Sequence, residues 1–189
     1  SLANTDDNSC ILPDGCTDVN ASNYNTAALC DDGSCTYTLT YVPDDNFENY
    51  LEANGMGDGI ALNDSVLTAN INTVITLTVN GLSISDLTGI EGFIALTELM
   101  CVNNQLTSLD VSSNVELIHL DCYNNQITSL DVSQNSDLTF LNCGDNNLTS
   151  LDVRNGNNTA FITFYAASNP NLLCINVDNV SYSTMNWTN

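Results

Sequence analysis

Residues 96–116, 117–137 and 138–158 repeat one another at a strict spacing of 21: LTELMCVNNQLTSLDVSSNVE, LIHLDCYNNQITSLDVSQNSD and LTFLNCGDNNLTSLDVRNGNN. They share the pattern L-x-x-L-x-C-x-x-N-x-[LI]-T-S-L-D-V. A unit this short cannot bury its apolar face alone, so successive copies must stack into a solenoid with one continuous core. Weaker copies flank the three. Val74, Leu77 and Val79 open a unit of 22 residues, and Phe161, Phe164, Ala166 and Asn169 keep the register of another that begins 23 after Leu138. Five coils are therefore predicted, starting at Val74, Leu96, Leu117, Leu138 and Phe161.

Each repeat position has a physical task. The fourth residue of each coil (Leu77, Leu99, Leu120, Leu141, Phe164) points inward from a strand, and stacked coils place these about 4.8 Å apart, the spacing of parallel strands. The sixth repeats as Cys101, Cys122 and Cys143. No histidine or Cys-x-x-Cys pair accompanies this row, so it reads as small apolar filler in a narrow core rather than as a metal or redox site. The ninth is Asn104, Asn125, Asn146 and Asn169. An amide both donates and accepts, so each asparagine is expected to satisfy the loop around it and to bond the next asparagine.

The second half of each central repeat, LTSLDV, alternates Leu109 and Val111 inward around an outward Asp110. It predicts a second short extended segment. Asp110, Asp131 and Asp152 then form an outward row beside Thr107, Thr128 and Thr149, and screening by solvent is the expected answer to their mutual repulsion. The first unit differs: residues 85–93 (SDLTGIEGF) predict a helical or turn-like side with Leu87, Ile90 and Phe93 facing in.

The outward residues of the first strand do not repeat. Side by side they place Glu98, Met100, His119, Asp121, Tyr123, Phe140, Asn142 and Tyr165 on one sheet surface. Exposed aromatic and apolar residues ringed by polar ones mark recognition surfaces, so these eight are the candidate ligand-binding face.

The flanks read as caps and an appendage. Residues 41–73 form an N-terminal cap, residues 74–189 the solenoid with its own C-terminal cap around Trp187, and residues 1–40 a separate small module. In YVPDDNFENYLEANG a helix is predicted, with Asp45 and Glu48 at capping-box spacing, Asp45 as the cap and Gly55 closing the end. Phe47, Tyr50 and Leu51 share the face that should cover the open end of the stack. Residues 56–73 are turn-rich, and Asp58, Asn63 and Asp64 there read as an ordinary loop in preference to a cation site.

The small module holds Cys10, Cys16, Cys30 and Cys35 in sequence without apolar periodicity. A core this small needs staples, so the four cysteines read as two disulfides and an oxidising compartment. Three pairings remain open, among them Cys10–Cys30 with Cys16–Cys35. Asp14, Asp18, Asn20, Asp31 and Asp32 cluster in the same loops, and such oxygens could serve a calcium ion, although no EF-hand spacing is present.

Charge narrows the partners. The chain carries 23 acidic residues against a single basic one, Arg154, for a net charge of −22. Nucleic acid and anionic membrane are bound by cationic surface and are excluded as partners. No segment approaches the roughly 20 apolar residues of a membrane span, and the opening SLANTDDNSC reads as a mature or trimmed start rather than a leader. Catalysis is not expected. The chain has one histidine, His119, and lacks G-x-S-x-G, H-E-x-x-H and Gly-rich phosphate loops.

Two stretches resemble known families. GCTDVNASNYNTAALCDDGSCTY (residues 15–37) resembles a short cysteine-rich repeat of secreted and surface proteins of Bacteroidetes, and DNSC (residues 7–10) resembles the tail of a preceding copy. Residues 41–189, with VPDDNFENYLEANGMGDG and NPNLLCINVDNVSYSTMNWTN at their ends, resemble bacterial leucine-rich repeat proteins of the short-period, surface-displayed kind. That resemblance implies a β-rich leucine-rich repeat solenoid with a parallel sheet, little helix and an N-terminal capping helix, beside a small disulfide-rich module. It also implies an extracellular protein, secreted or attached to a cell surface, that binds or adheres without catalysing. A protein ligand is expected first. A carbohydrate-binding module and a structural spacer are the alternatives.

Overall fold

The structure, a computed structural model, describes residues 14–187. It opens with two short strands paired in parallel, β1 (Asp14–Gly15) and β2 (Cys30–Asp31). Cys16 and Ala21 are the buried apolar residues here, so the Cys16–Cys35 disulfide must hold what packing cannot. Cys30 is disulfide-bonded as well. Cys10, named in the other candidate pair, lies outside the described residues.

The cap follows: β3 (Leu39–Tyr41), helix α1 (Asp45–Ala53), β4 (Ser65–Leu67) and the short helix α2 (Thr68–Ile71). The predicted helix is present, and Gly55 at φ +72° closes it. Its N-cap, however, is Asp44 rather than Asp45. Asp44 has extended φ and ψ, and one carboxylate oxygen accepts from Asn46 N and Phe47 N at 3.0 and 3.1 Å. The other oxygen reaches into the first coil and accepts from Ser85 N, Ser85 Oγ and Asp86 N at 2.8, 2.8 and 3.2 Å. One carboxylate thereby caps the helix and fastens it to the solenoid.

Glu48 does not complete a capping box. It is fully buried, and its two oxygens accept from Asn63 N and Asp64 N at 2.9 and 3.0 Å. That contact folds residues 56–73 back onto the helix, so β4 pairs antiparallel with β3 where the sequence suggested only turns. Asn63 Nδ2 donates to Asp58 Oδ2 at 2.9 Å, which makes this segment a stitched loop. Helix α1 buries Phe47 and Leu51, and the Phe47 ring stacks on Phe93 of the first coil with centroids 6.3 Å apart. Gly89, at φ +105°, lies where coil and cap meet. A Cβ there would come within 2.7 Å of Val42 Cγ2 and 2.8 Å of Tyr41 O.

The solenoid carries two parallel sheets. The first joins β5 (Thr76–Thr78), β6 (Glu98–Met100), β7 (His119–Asp121), β9 (Phe140–Asn142) and β11 (Thr163–Tyr165) in stacking order. The second joins β8 (Ser129–Asp131), β10 (Ser150–Asp152) and β12 (Ile175–Asn176). The first coil uses a 3₁₀ turn, Ile90–Gly92, in place of the second strand, with Leu87, Ile90 and Phe93 buried as expected. Leu77, Leu99, Leu120, Leu141 and Phe164 are register partners from coil to coil. One core runs from Val42 through Ala166. At the far end helix α3 (Val180–Asn186) carries the chain to Trp187, whose ring stacks on Phe164 with centroids 4.2 Å apart.

The asparagine row is built differently from the expectation. The amides do not bond one another. Each bridges the backbones of two coils: Asn125 Nδ2 donates to Cys101 O and Cys122 O at 3.0 and 3.1 Å, and its Oδ1 accepts from Leu106 N at 3.1 Å. Asn104, Asn146 and Asn169 repeat the pattern. The backbone groups at these turns are buried, so they engage both the amide hydrogens and the amide oxygen of each asparagine. A second row, Asn114, Asn135 and Asn155, bridges coils at the opposite turn through its amide hydrogens alone, and the Oδ1 of Asn114 and of Asn135 are buried without a hydrogen-bond partner. Asn114 Nδ2 donates to Ile90 O and Phe93 O, Asn135 Nδ2 to Val111 O and Asn114 O, and Asn155 Nδ2 to Asn135 O.

Candidate recognition face

Register decides which side chains meet. Glu98, His119 and Phe140 stand in one row across the first sheet, and Met100, Asp121, Asn142 and Tyr165 in the next. Tyr123 follows β7 by two residues and joins them from the adjoining turn. All eight predicted face residues are thus on one surface, half-buried or exposed, with Tyr165 at 57% and Tyr123 at 37%.

Their geometry is fixed by local contacts. His119 and Phe140, register partners on neighbouring strands, stack with ring centroids 3.9 Å apart and planes 6° from parallel. A stacked aromatic pair of this kind adds to the area it covers. Asp121 Oδ1 accepts from Tyr123 N at 3.2 Å and Asn142 Oδ1 from Gly144 N at 3.3 Å, so each strand ends in a side-chain-closed turn. Glu98 Oε2 receives Thr76 Oγ1 at 3.4 Å. The Tyr123 ring lies over Gly144, where a Cβ would come within 3.4 Å of Tyr123 Cδ2.

Sequence reasoning missed Asp145. The Tyr123 hydroxyl donates to its Oδ2. The Ser168 hydroxyl and that phenol hold the Asp145 carboxyl below the usual range, and the same hydrogen bond pushes the Tyr123 phenol up. A signal was present. Asn103, Asn124, Asp145 and Ser168 occupy one turn position with φ between 50° and 58°, and Asp145 interrupts the asparagines there.

The other rows are structural. Cys101, Cys122 and Cys143 are free and buried. Burial pushes the Cys101 and Cys143 thiols up to about 12 and Cys122 well above its ordinary value, so all three stay protonated at neutral pH. Cys101 Sγ donates to Asp121 O at 3.6 Å and Cys143 Sγ to Tyr165 O at 3.4 Å, each across to the next coil. Asp110, Asp131 and Asp152 each turn one oxygen to the amide two residues on, at 2.9, 2.8 and 3.1 Å. Arg154 pairs with Asp152, and its hydrogen bond holds that carboxyl down at about 2.

Of the calcium candidates, Asp18, Asp31 and Asp32 each turn one oxygen to a backbone amide two residues on. Asp18 accepts from Asn20 N at 2.9 Å and from the Tyr37 hydroxyl at 2.7 Å. Asp31 accepts from Gly33 N at 3.1 Å and Asp32 from Ser34 N at 2.9 Å, while Asp14 sits in β1. Among the described residues no three acidic, thiol or imidazole groups gather as a metal-binding cluster. A hollow of about 510 Å³, lined in part by Phe164, Leu172, Ile175 and Trp187, lies at the C-terminal end and not on the sheet.

No protein-family model matches the chain. Internalin J of Listeria monocytogenes serotype 4b (strain F2365) is 35% identical over 74 residues, which is 39% of this chain and 8% of that protein. The solved functional domain of InlJ from Listeria monocytogenes, described as including a cysteine ladder, superposes with a TM-score of 0.54 at 30% identity, over 78% of this chain and 37% of that one. An internalin structure (inlF) from Listeria monocytogenes strain 4b F2365 gives 0.56 at 21% identity, over 72% and 44%. The chain thus spans less than half the length of each of these relatives. The fold is an internalin-like leucine-rich repeat solenoid of five coils, and the ladder of Cys101, Cys122 and Cys143 has its counterpart in name in one of them.

Proposed function

We propose that this chain is a non-enzymatic recognition module that binds a protein partner through the first sheet, outside the cell. The carrying observation is the contrast between rows. Core leucines, cysteines and asparagines recur in every central coil, whereas Met100, His119, Tyr123, Phe140 and Tyr165 change from coil to coil. Rings held in place before binding, as the His119–Phe140 stack and the Tyr123–Asp145 contact hold them, lose little freedom on association. Disulfides at Cys16–Cys35 and at Cys30 support an oxidising, extracellular setting. No helix among the described residues is long and apolar enough to cross a membrane.

The net charge of −22 favours a basic partner. A glycan is the second reading, supported by exposed Tyr165 and by Tyr123, whose hydroxyl is bonded to carboxylate Asp145. Glycan arrays and affinity capture followed by purified-partner titration, each run with Tyr123→Ala and Phe140→Ala, separate the two. Retained binding to the same partner in both variants would sink the sheet-face reading.

A further inference from the structure

Ahead of the C-terminal tail, the large aliphatic side chains exposed on the coils are Ile75, Ile94, Val115, Ile118 and Ile162. All five sit on one corner of the solenoid. Ile75, Ile118 and Ile162 are the second residues of the first, third and fifth coils, and Ile94 and Val115 stand two residues before the second and third coils begin. The second residues of the remaining coils are Thr97 and Thr139.

These second residues stack in one continuous ladder. Thr97 N donates to Ile75 O, Ile118 N to Thr97 O, Thr139 N to Ile118 O and Ile162 N to Thr139 O, at 2.9, 2.9, 2.9 and 2.8 Å. The two threonine hydroxyls are spent on the same backbone: Thr97 Oγ1 donates to Ile75 O at 2.9 Å and Thr139 Oγ1 to Ile118 O at 3.4 Å. What each threonine has left to offer is its methyl group. The result is a stripe of β-branched apolar groups, with four steps of about 4.8 Å giving a length of roughly 19 Å.

Strand preference alone does not account for the stripe, because Ile75 and Ile162 are 61% and 86% exposed on an otherwise polar surface. Contiguous exposed apolar surface with a polar rim is the mark of a contact site. The rim is acidic: Glu98, Glu116 and Asp137 are exposed and adjoin the stripe in sequence. A second copy of the chain would bring the same carboxylates against them, with Arg154 as its one cation. An acidic rim around an aliphatic centre selects the opposite arrangement in a partner.

We propose that the stripe from Ile75 to Ile162 is a second docking surface, beside the sheet face and distinct from it. Its occupant is an extended segment of a partner protein presenting aliphatic side chains between lysines or arginines. A stripe of roughly 19 Å matches about six residues of extended chain.

Two seven-residue peptides test this by isothermal titration, one alternating lysine with valine and one alternating lysine with serine. Their charges are equal, so the acidic surface attracts both alike. The lysine–valine peptide should bind at least tenfold tighter. Ile75→Ser, Ile118→Ser and Ile162→Ser together should bring the two within about twofold, while Phe140→Ala should leave the preference intact. Should the triple variant melt early, Ile162→Ser alone, with its side chain almost wholly in solvent, should lower the preference about threefold. Equal binding of both peptides to the unaltered chain would overturn the proposal. So would a preference that survives the isoleucine changes or disappears with Phe140.

Discussion

Replacing Asn125 by leucine should remove a large part of the fold's stability. The side chain is 7% exposed and joins the second coil to the third through three backbone groups: Cys101 O, Cys122 O and Leu106 N. Leucine is close in size but can satisfy none of them. Each buried group left without a partner costs about 1–3 kcal/mol, and the added apolar burial returns part of that. The expected net loss is about 3–5 kcal/mol. For a chain of this size that lowers Tm by on the order of 10 °C. Asn125→Asp sharpens the test. It keeps an acceptor for Leu106 N but turns an oxygen toward two carbonyls, so burial and repulsion raise the introduced carboxyl's folded pKa above its unfolded one. The sign follows: this variant lies nearest the unaltered protein below the unfolded pKa and falls further behind as pH rises through the folded one. Asn147→Leu, at an exposed position, is the control and should stay within about 0.5 kcal/mol. Urea titrations and thermal melts monitored by circular dichroism at two pH values give the free energies and the Tm of all three. If Asn125→Leu melts within about 2 °C of the unaltered protein, the amide row does not hold the coils together.

Two further outcomes follow from the cap and the core. Burial alone would raise the Asp44 carboxyl, but the donors from Ser85, Phe47 and Asp86 outweigh it and hold its pKa low. Its contribution is therefore present above the unfolded carboxylate pKa and lost as pH falls through the depressed folded value; Asp44→Ala should cost about 3 kcal/mol at pH 7 and much less in acid, read by urea titration at each pH. A thiol-reactive dye should label exposed Cys174 at once and Cys101, Cys122 and Cys143 only on unfolding; rapid labelling of the three in the folded protein would refute their burial.

The stack was legible because its period is. Spacing 21 carries the coil boundaries, the inward leucines and the cysteine row directly, and the structure places Leu99, Leu120 and Leu141 in mutual register. What escaped depends on contacts between distant residues. Asp44 rather than Asp45 caps the helix because Ser85, 41 residues away, supplies donors for its second oxygen. Glu48 looked like half of a local capping box and instead binds the amides of Asn63 and Asp64. No local pattern encodes either. The second asparagine row is visible in principle, since Asn114 and Asn135 are 21 apart, but it lies beyond Val111 and Val132, where the shared pattern ends. The eight face residues were placed together because alternation along a strand fixes their side, while Asp145 lies past the strand, where alternation says nothing.

A repeat position is free to vary only where no neighbouring coil depends on it, and this sorts the surface into two kinds of site. Positions three, five and seven of each coil carry Glu98, His119 and Phe140, then Met100, Asp121 and Asn142, then Val102, Tyr123 and Gly144. Within these three central coils no side chain recurs in any of the rows, and the core beneath does not require one; in the first and last coils position three is threonine in both, Thr76 and Thr163. The second position behaves differently. It alternates isoleucine with threonine through all five coils, and Thr97 and Thr139 bind the carbonyl of the coil before them. That tie accounts for the threonines but not for the isoleucines, which have no such bond to make and stand in solvent. A row that holds one chemistry without a structural demand for it points to an external constraint as strongly as a row that varies. The varied face suits a shape particular to one ligand, and the uniform stripe suits an extended segment whose register need not be fixed.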